Sequence, residues 1–210
     1  MNKIIPACIL LIATSSHCLA QTPPNAERPP QPRIGDSRDY DGQLLGLNCR
    51  HWEARRQEAN NVSVRQCEDK LIYVDANLNV LRATTLKGDV LVEFKPQYQA
   101  LEFPLFVGKK WSSRYSGFRA DKGRKWDSRL ECEATAYEPV RVAAGNFDAF
   151  RIECIDNWEF GLIFSGKKQS TRWYAPAIGA VVKYASEDKE WNYELAASRR
   201  AETGLNTASR

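Results

Sequence analysis

Two β-patterned runs, each carrying one cysteine and joined by a Gly-Asn turn, constrain this chain more than any other feature. The runs are Trp126–Val140 and Phe147–Phe160. In each run apolar residues alternate with polar ones, and the cysteines fall on the apolar side. Folding the chain between the runs brings Cys132 and Cys154 close to register, with a bulge expected near Glu138–Pro139. We therefore predict a disulfide-stapled hairpin at the centre of a β domain.

The N-terminal 20 residues have the pattern of a cleaved secretory signal peptide. Lys3 gives the positive start, Ile4–Ala13 is a short apolar stretch, and Cys18-Leu19-Ala20 precedes the expected cleavage site. The apolar stretch is too short to span a bilayer. Lipidation of Cys18 is the alternative, but Ser15-Ser16-His17 is a poor approach to a lipid-modified cysteine. The sequence predicts export, with the periplasm favoured over secretion.

Four cysteines remain after the predicted signal peptide, and an even number behind such a segment is typical of disulfides. The hairpin pairs Cys132 with Cys154, which leaves Cys49 with Cys67. A metal site is the competing interpretation, but it needs closely spaced cysteines or several histidines. His51 is the one histidine beyond the signal. We predict two disulfides and no metal.

The remaining sequence predicts a single domain with unstructured ends. A Pro-rich leader over residues 21–35 is expected to be extended or disordered, the β domain to cover 36–197, and a flexible tail to cover 198–210. Within the domain, Asp36–Gly42 has the composition of a polar turn and Gln43–Trp52 that of a strand. Pro96 is expected to end a strand, and Phe103–Gly108 to cross the end of the sheet and plug the core.

Short apolar-alternating segments separated by turn residues every 8 to 12 positions predict an all-β fold. No amphipathic helix of useful length is evident in the sequence. A barrel, a sandwich and a strongly curved antiparallel sheet all fit this pattern.

Three phrases in the second half of the chain share a pattern. They are PLFVGKKW (104–111), AGNFDAFRI (144–152) and WYAPAIGAVVK (173–183). Together they resemble a loose group of uncharacterised exported bacterial proteins with the pattern PLxVGxxW … AGxFxAxxI … WYxPxxGxVVK. The resemblance covers roughly residues 95 to 185 and implies export and a β-rich fold. It implies no activity that would assign a role to a residue.

The residues offer little for catalysis. A nucleophile activated by histidine would depend on His51, and no Gly-x-Ser-x-Gly turn is present. Glu131 and Glu133 share a strand face and could serve a glycosidase, but Arg129 shares that face, which favours a solvated surface. No Gly-rich phosphate loop or dinucleotide fingerprint occurs. The sequence predicts no catalytic residue and no cofactor.

One stretch is unusually basic. Residues 109–129 hold eight basic and two acidic residues, with Trp111, Tyr115, Phe118 and Trp126 between them. Such a hairpin could bind an anionic partner in the envelope, such as lipid head groups or acidic glycans, although a charged hairpin with inward aromatic residues is also consistent. Export argues against nucleic acid. The candidate residues are Lys109, Lys110, Arg114, Arg119, Lys122, Arg124 and Lys125.

Three classes of function are compatible with the sequence. The favoured class is a non-catalytic binding or envelope-associated protein, which could carry an apolar or anionic ligand in a curved sheet. A hydrolase acting on cell-wall or glycan material is the second. An inhibitor or structural partner of another exported protein is the third. The sequence makes no prediction of oligomeric state.

Overall fold

The protein is a closed barrel of twelve antiparallel strands. The structure is a computed structural model that describes residues 24–43, 46–161 and 163–202. The signal peptide predicted over residues 1–20 lies outside this range, as do residues 203–210 of the predicted tail. The strands are β1 Ser37–Gly42, β2 His51–Glu58, β3 Val62–Cys67, β4 Lys70–Val74, β5 Val80–Thr85, β6 Val90–Tyr98, β7 Lys110–Arg119, β8 Arg124–Val142, β9 Gly145–Phe160, β10 Phe164–Ala175, β11 Ala180–Ser186 and β12 Tyr193–Arg199.

The strands follow one another round the barrel in chain order, and β12 pairs with β1 to close it. Every paired edge is antiparallel, as neighbouring strands joined by short turns require. Closure removes the exposed sheet edges on which an open sheet would aggregate. The predicted all-β class is confirmed, and the barrel is selected over the sandwich and the open sheet.

The predicted central hairpin is confirmed. Cys132 on β8 lies directly opposite Cys154 on β9, is bonded to it, and their Cα atoms are 4.1 Å apart. The expected bulge near Glu138–Pro139 is wrong, since the register shift lies between Ala134 and Ala136. Pro139 is tolerated because β8 pairs with β7 only as far as Glu133. Proline has no N–H to donate, and β7 does not pair with this part of β8.

The second predicted disulfide, Cys49–Cys67, is also confirmed, with a Cα separation of 5.7 Å. It ties the segment before β2 to the end of β3. Both sulfur-bearing residues are completely buried.

Two expectations for the N-terminal half are wrong. The predicted polar turn Asp36–Gly42 is the site of β1. In the predicted strand Gln43–Trp52, the described residues before His51 are not in a strand, and β2 starts at His51. The reason is tertiary, because β1 takes hydrogen bonds from β12 on one side and β2 on the other. Pairing on both sides stabilises the extended conformation of β1, although the local composition of this segment favours a turn.

Pro96 does not end β6, which continues to Tyr98. On one side of β6, the pairing with β7 stops at Lys95. On the other side, the pairing with β5 shifts register between Val80 and Arg82. Pro96 therefore follows the last residue that β7 pairs with, where no β7 carbonyl requires its N–H.

The segment between β6 and β7, residues 99–109, closes one end of the barrel and is called the closing segment below. Leu101 and Leu105 are almost completely buried, and the ring of Phe103 meets the edge of Tyr174 at 5.3 Å. The prediction that this stretch plugs the core is confirmed for Leu105. Phe106, in the same stretch, is 43% exposed.

The described part of the predicted leader lies against the barrel. Ala26 exchanges two backbone hydrogen bonds with Leu105, at 2.9 and 2.8 Å, and Pro29 is buried. The pairing of Ala26 with Leu105 attaches this part of the leader to the closing segment. At the other end, β12 runs from Tyr193 to Arg199.

Candidate functional site

The barrel encloses a cavity of about 540 Å³. Its wall is mostly apolar, and the aliphatic part comes from the shorter strands and the closing segment. The aliphatic lining includes Ile72, Val74, Val80, Val92, Leu101 and Val181. Exposed side chains of Lys122 and Arg124 also belong to the lining, so the cavity reaches the surface at the end opposite the closing segment. That end is called the basic end below.

Aromatic rings form a belt around the cavity. Tyr40 stacks near Trp52 at 6.3 Å and meets Tyr193 edge-on at 5.2 Å, and Tyr193 stacks on Tyr184 at 5.4 Å. The belt presents flat apolar faces together with phenol hydroxyls. Such a wall suits a ligand that is mostly apolar but carries polar groups.

On the opposite wall, Phe94 is the centre of a second aromatic group. Its ring lies 5.5 Å from Tyr98, 5.6 Å from Tyr115 and 6.2 Å from Trp126. These residues come from β6, β7 and β8, and their contacts hold three strands in register from the inside.

Arg172 projects from β10 into the aromatic lining, and the residue is only 6% exposed. Its guanidinium donates hydrogen bonds to the hydroxyl oxygens of Tyr98 at 2.8 Å and Ser170 at 3.1 Å. It also lies 5.2 Å from the Tyr98 ring centre and 4.8 Å from that of Tyr184. Burial raises the pKa of Tyr98 to about 12, against the opposing effect of Arg172.

Arg65 enters the cavity from β3 and lies 4.4 Å from the ring centre of Trp52. Arg38 approaches the same indole at 5.1 Å and donates a hydrogen bond to the carbonyl oxygen of Ile178 at 2.5 Å. Loss of solvation, followed by repulsion from Arg38, lowers the pKa of Arg65 to about 10. Its Nε atom is buried and has no hydrogen-bond partner.

Asp156 is the acidic residue that the described chain places deep in the cavity wall. It accepts hydrogen bonds from the hydroxyls of Tyr115 and Ser128, both at 2.6 Å. Burial, with further contributions from Tyr98 and Asp156, raises the pKa of Tyr115 well above its usual range. Asp156 therefore serves two hydroxyl donors and makes no ion pair among the described residues.

The seven basic residues predicted as an anion-binding set do not lie together in the structure. Arg119, Lys122 and Arg124 line the cavity at the basic end. Lys125 lies beside them but lines a separate surface groove. Arg114 is exposed on the outer wall, where it pairs across the strands with Arg129.

The other two members lie at the plugged end. Lys109 donates hydrogen bonds to the carbonyl oxygens of Glu102 and Pro104, both at 2.9 Å, and holds the closing segment in place. Lys110 forms an ion pair with Glu133 at 3.2 Å. A hairpin that runs the length of the barrel separates charges that are neighbours in sequence.

The side chains considered for catalysis are occupied by structural contacts. His51 Nδ1 lies 2.5 Å from Asp39, which also forms an ion pair with Arg199. Glu131 is paired with Arg129 and Glu133 with Lys110 on the outer surface. Within the described residues no group of three His, Cys, Asp or Glu side chains is placed to hold a metal ion.

No helix in the described ranges is both long enough and apolar enough to cross a membrane.

The interior arginines were not predicted from the sequence. In the stretch Ser170 to Tyr174, Arg172 alternates with Thr171 and Trp173, so both faces mix polar and aromatic residues. The period identifies which side chains share a face, but it does not show which face is inside. Arg65 is ambiguous in the same way, because it lies between Val64 and Gln66.

Comparison with solved structures identifies similar folds at low sequence identity. The hypothetical lipoprotein YmcC from Escherichia coli has a TM-score of 0.50 at 12% identity, covering 82% of this chain and 90% of YmcC. A Bacteroides fragilis protein named as exported, with a YmcC-like fold, has a TM-score of 0.49 at 14% identity, covering 83% and 100%. A Parabacteroides distasonis protein named as a lipoprotein has a TM-score of 0.48 at 10% identity, covering 82% and 99%.

No family model matches the chain, and no curated protein matches it. At these identities the likeness to YmcC concerns the fold alone.

Proposed function

We propose that this protein is an exported, non-catalytic binding protein that holds an apolar ligand inside its barrel. The observation that carries the proposal is the cavity of about 540 Å³, walled by aliphatic and aromatic side chains and reaching the surface at the basic end. Ligand pockets in proteins have volumes of roughly 300–1,000 Å³ and mostly apolar walls with a few polar groups. The cavity is therefore the right size for one small molecule.

The number of strands explains why the cavity exists. A barrel of about eight strands is just wide enough for side chains to fill it, and wider barrels leave internal space. This barrel has twelve strands, and the closing segment fills only one end.

Export rests on the leader and the disulfides. The two bonded cysteine pairs suit an oxidising compartment, and residues 1–20 have the pattern of a signal peptide. We favour cleavage before Gln21. YmcC is named as a lipoprotein, and lipidation of Cys18 is the alternative. The intact mass of the protein from its own host separates the two outcomes.

A neutral apolar dye tests the cavity. We expect N-phenyl-1-naphthylamine to bind with one site per chain and to gain fluorescence. Val92→Trp should abolish this binding, because Val92 is buried and lines the cavity. The matched control is Ser112→Trp, which adds the same side chain at an exposed position of β7.

The proposal is overturned if the dye fails to bind, or if Val92→Trp and Ser112→Trp bind it equally well while both remain folded. Native mass spectrometry of the protein from its own host gives a second measurement. A reproducible extra mass that is lost on denaturation supports a carried ligand and begins to identify it.

A further inference from the structure

The charges inside the barrel are unbalanced. Seven basic and two acidic side chains of the described residues line the cavity. At the basic end, Lys168 is paired with Asp188 at 2.8 Å, and Arg119 with Asp121 at 3.0 Å. Deeper inside, Arg38, Arg65 and Arg172 form no ion pair with any described carboxylate. The carboxylate of Asp156 lies in the same wall but accepts hydrogen bonds from Tyr115 and Ser128. Three arginines with one aspartate leave the interior with an excess of positive charge.

Arg172 is held in position yet not neutralised. Two of its N–H groups bond neutral hydroxyls, and aromatic rings lie against its guanidinium. These contacts fix the orientation of the group, but they leave its charge without a counterion. A guanidinium has five N–H donors in a rigid fork that matches a carboxylate or phosphate. A buried, oriented and uncompensated arginine is costly to the fold unless an anion joins it.

Arg65 gives an independent indication. Its Nε–H is buried without an acceptor, although nearly all buried donors in proteins are satisfied. The positive charge of Arg38 lies close enough to repel it. Arg65 and Arg172 both line the cavity, Arg65 against the ring of Trp52 and Arg172 against the ring of Tyr184. Both guanidinium groups therefore face the same cavity.

We propose that Arg65 and Arg172 form an anion subsite inside the barrel that binds the acid group of an otherwise apolar ligand. This inference rests on the proposed function and specifies its ligand class: a molecule with one carboxylate or phosphate and an apolar body. The apolar body packs on the aliphatic and aromatic lining. The acid group accepts hydrogen bonds from one guanidinium, and the positive charge of the other favours the anion within the same cavity.

Three ligands with the same chain test the subsite: dodecanoate, dodecyl phosphate and dodecanol. We expect at least one of the two acids to bind about tenfold or more tightly than dodecanol, because a hydrogen bond to a charged group contributes roughly 1.5–3 kcal/mol. The tighter of the two acids identifies a carboxylate or a phosphate ligand. Arg65→Leu and Arg172→Leu should each remove this preference, whereas Arg141→Leu, on an exposed part of β8, should retain it.

Dodecanol and the neutral dye report on the apolar cavity alone. If wild-type protein binds all three ligands equally, or if the arginine variants weaken dodecanol as much as the acids, the anion subsite is overturned. Dye binding then still supports the apolar carrier. If Arg172→Leu fails to fold, Arg65→Leu decides the result. Arg172→Lys then tests whether a positive charge without the guanidinium geometry retains part of the preference for acids over dodecanol.

Discussion

The side chain of Asn79 makes both hydrogen bonds that the backbone of Leu101 requires. Asn79 Nδ2 donates to the Leu101 carbonyl oxygen and Asn79 Oδ1 accepts from the Leu101 N–H, each at 2.9 Å. Asn79 is 2% exposed and precedes β5, whereas Leu101 belongs to the closing segment. One buried amide therefore attaches Leu101 of the closing segment to the turn before β5.

Replacing Asn79 with alanine should lower the free energy of unfolding by roughly 2–4 kcal/mol, because two buried backbone groups each lose a partner worth about 1–3 kcal/mol. Urea unfolding followed by tryptophan fluorescence measures this. Asn77→Ala in the same turn is the control, since Asn77 donates a hydrogen bond to Asp75 through its backbone N–H, which alanine retains. Equal stability of both variants would contradict the role of Asn79.

Gly117 provides the space for Trp126. The two residues are paired on β7 and β8, and a Cβ at position 117 would lie 2.1 Å from Trp126 Cζ2. We expect Gly117→Ala to destabilise the protein by about 1–3 kcal/mol through overpacking. The same change in a Trp126→Ala background should cost much less, because the obstructing indole is absent. A double-mutant cycle on unfolding free energies measures this coupling, and an additive result would refute it.

The pair Gly166 and Trp158 repeats this arrangement on β9 and β10, with a distance of 2.3 Å to Cζ2. Both indoles line the basic end of the cavity. Glycine opposite tryptophan is thus a feature of two adjacent hairpins, and it sets the position of the rings near the opening.

The basic end should interact with anionic surfaces through Lys122 and Arg124, which form no ion pair among the described residues. We expect Lys122→Glu/Arg124→Glu to reduce binding to vesicles containing phosphatidylglycerol, and added salt to weaken binding of the wild type. Arg114→Glu/Arg129→Glu makes the same change of charge on the outer wall. Vesicle co-sedimentation measures the difference. If both variants lose vesicle binding equally, net charge alone explains the binding. If neither variant loses binding, the basic end has no role in it.

Alkaline pH should destabilise the barrel. Burial raises the pKa of Tyr98 to about 12 and those of Tyr115, Tyr174 and Tyr193 above their ordinary value near 10. The folded state therefore retains protons that the unfolded state releases. The stabilising contribution is complete below about pH 10 and is lost as the pH rises through the folded-state values.

Tyrosinate absorbance during an alkaline titration checks this. We expect the buried tyrosines to ionise only together with loss of the near-ultraviolet circular dichroism signal, while a sample in urea ionises near the ordinary value throughout. Ionisation of every tyrosine near pH 10 in a still-folded protein would show that the interior is solvated.

Much of the fold was accessible from the sequence because its strongest signals are local. The period-2 pattern and the turn between β8 and β9 place Cys132 opposite Cys154 within one hairpin, and elimination then pairs Cys49 with Cys67. The predictions from sequence were wrong where pairing with a strand distant in the chain decides the conformation. β1 is a strand because β12, more than 150 residues away, pairs with it along Ser37 to Gly42.

The same distinction between local and long-range information applies to the candidate site. By itself, the sequence determined an all-β chain with two disulfides and a basic hairpin, since alternation, turns and cysteine spacing act over short distances. Tertiary structure decided that the sheet closes, that a cavity remains, and that Arg65 and Arg172 point into it while Arg114 points out. The reason is that an alternating strand has two faces with mixed composition, and only closure of the barrel makes one of them the inside.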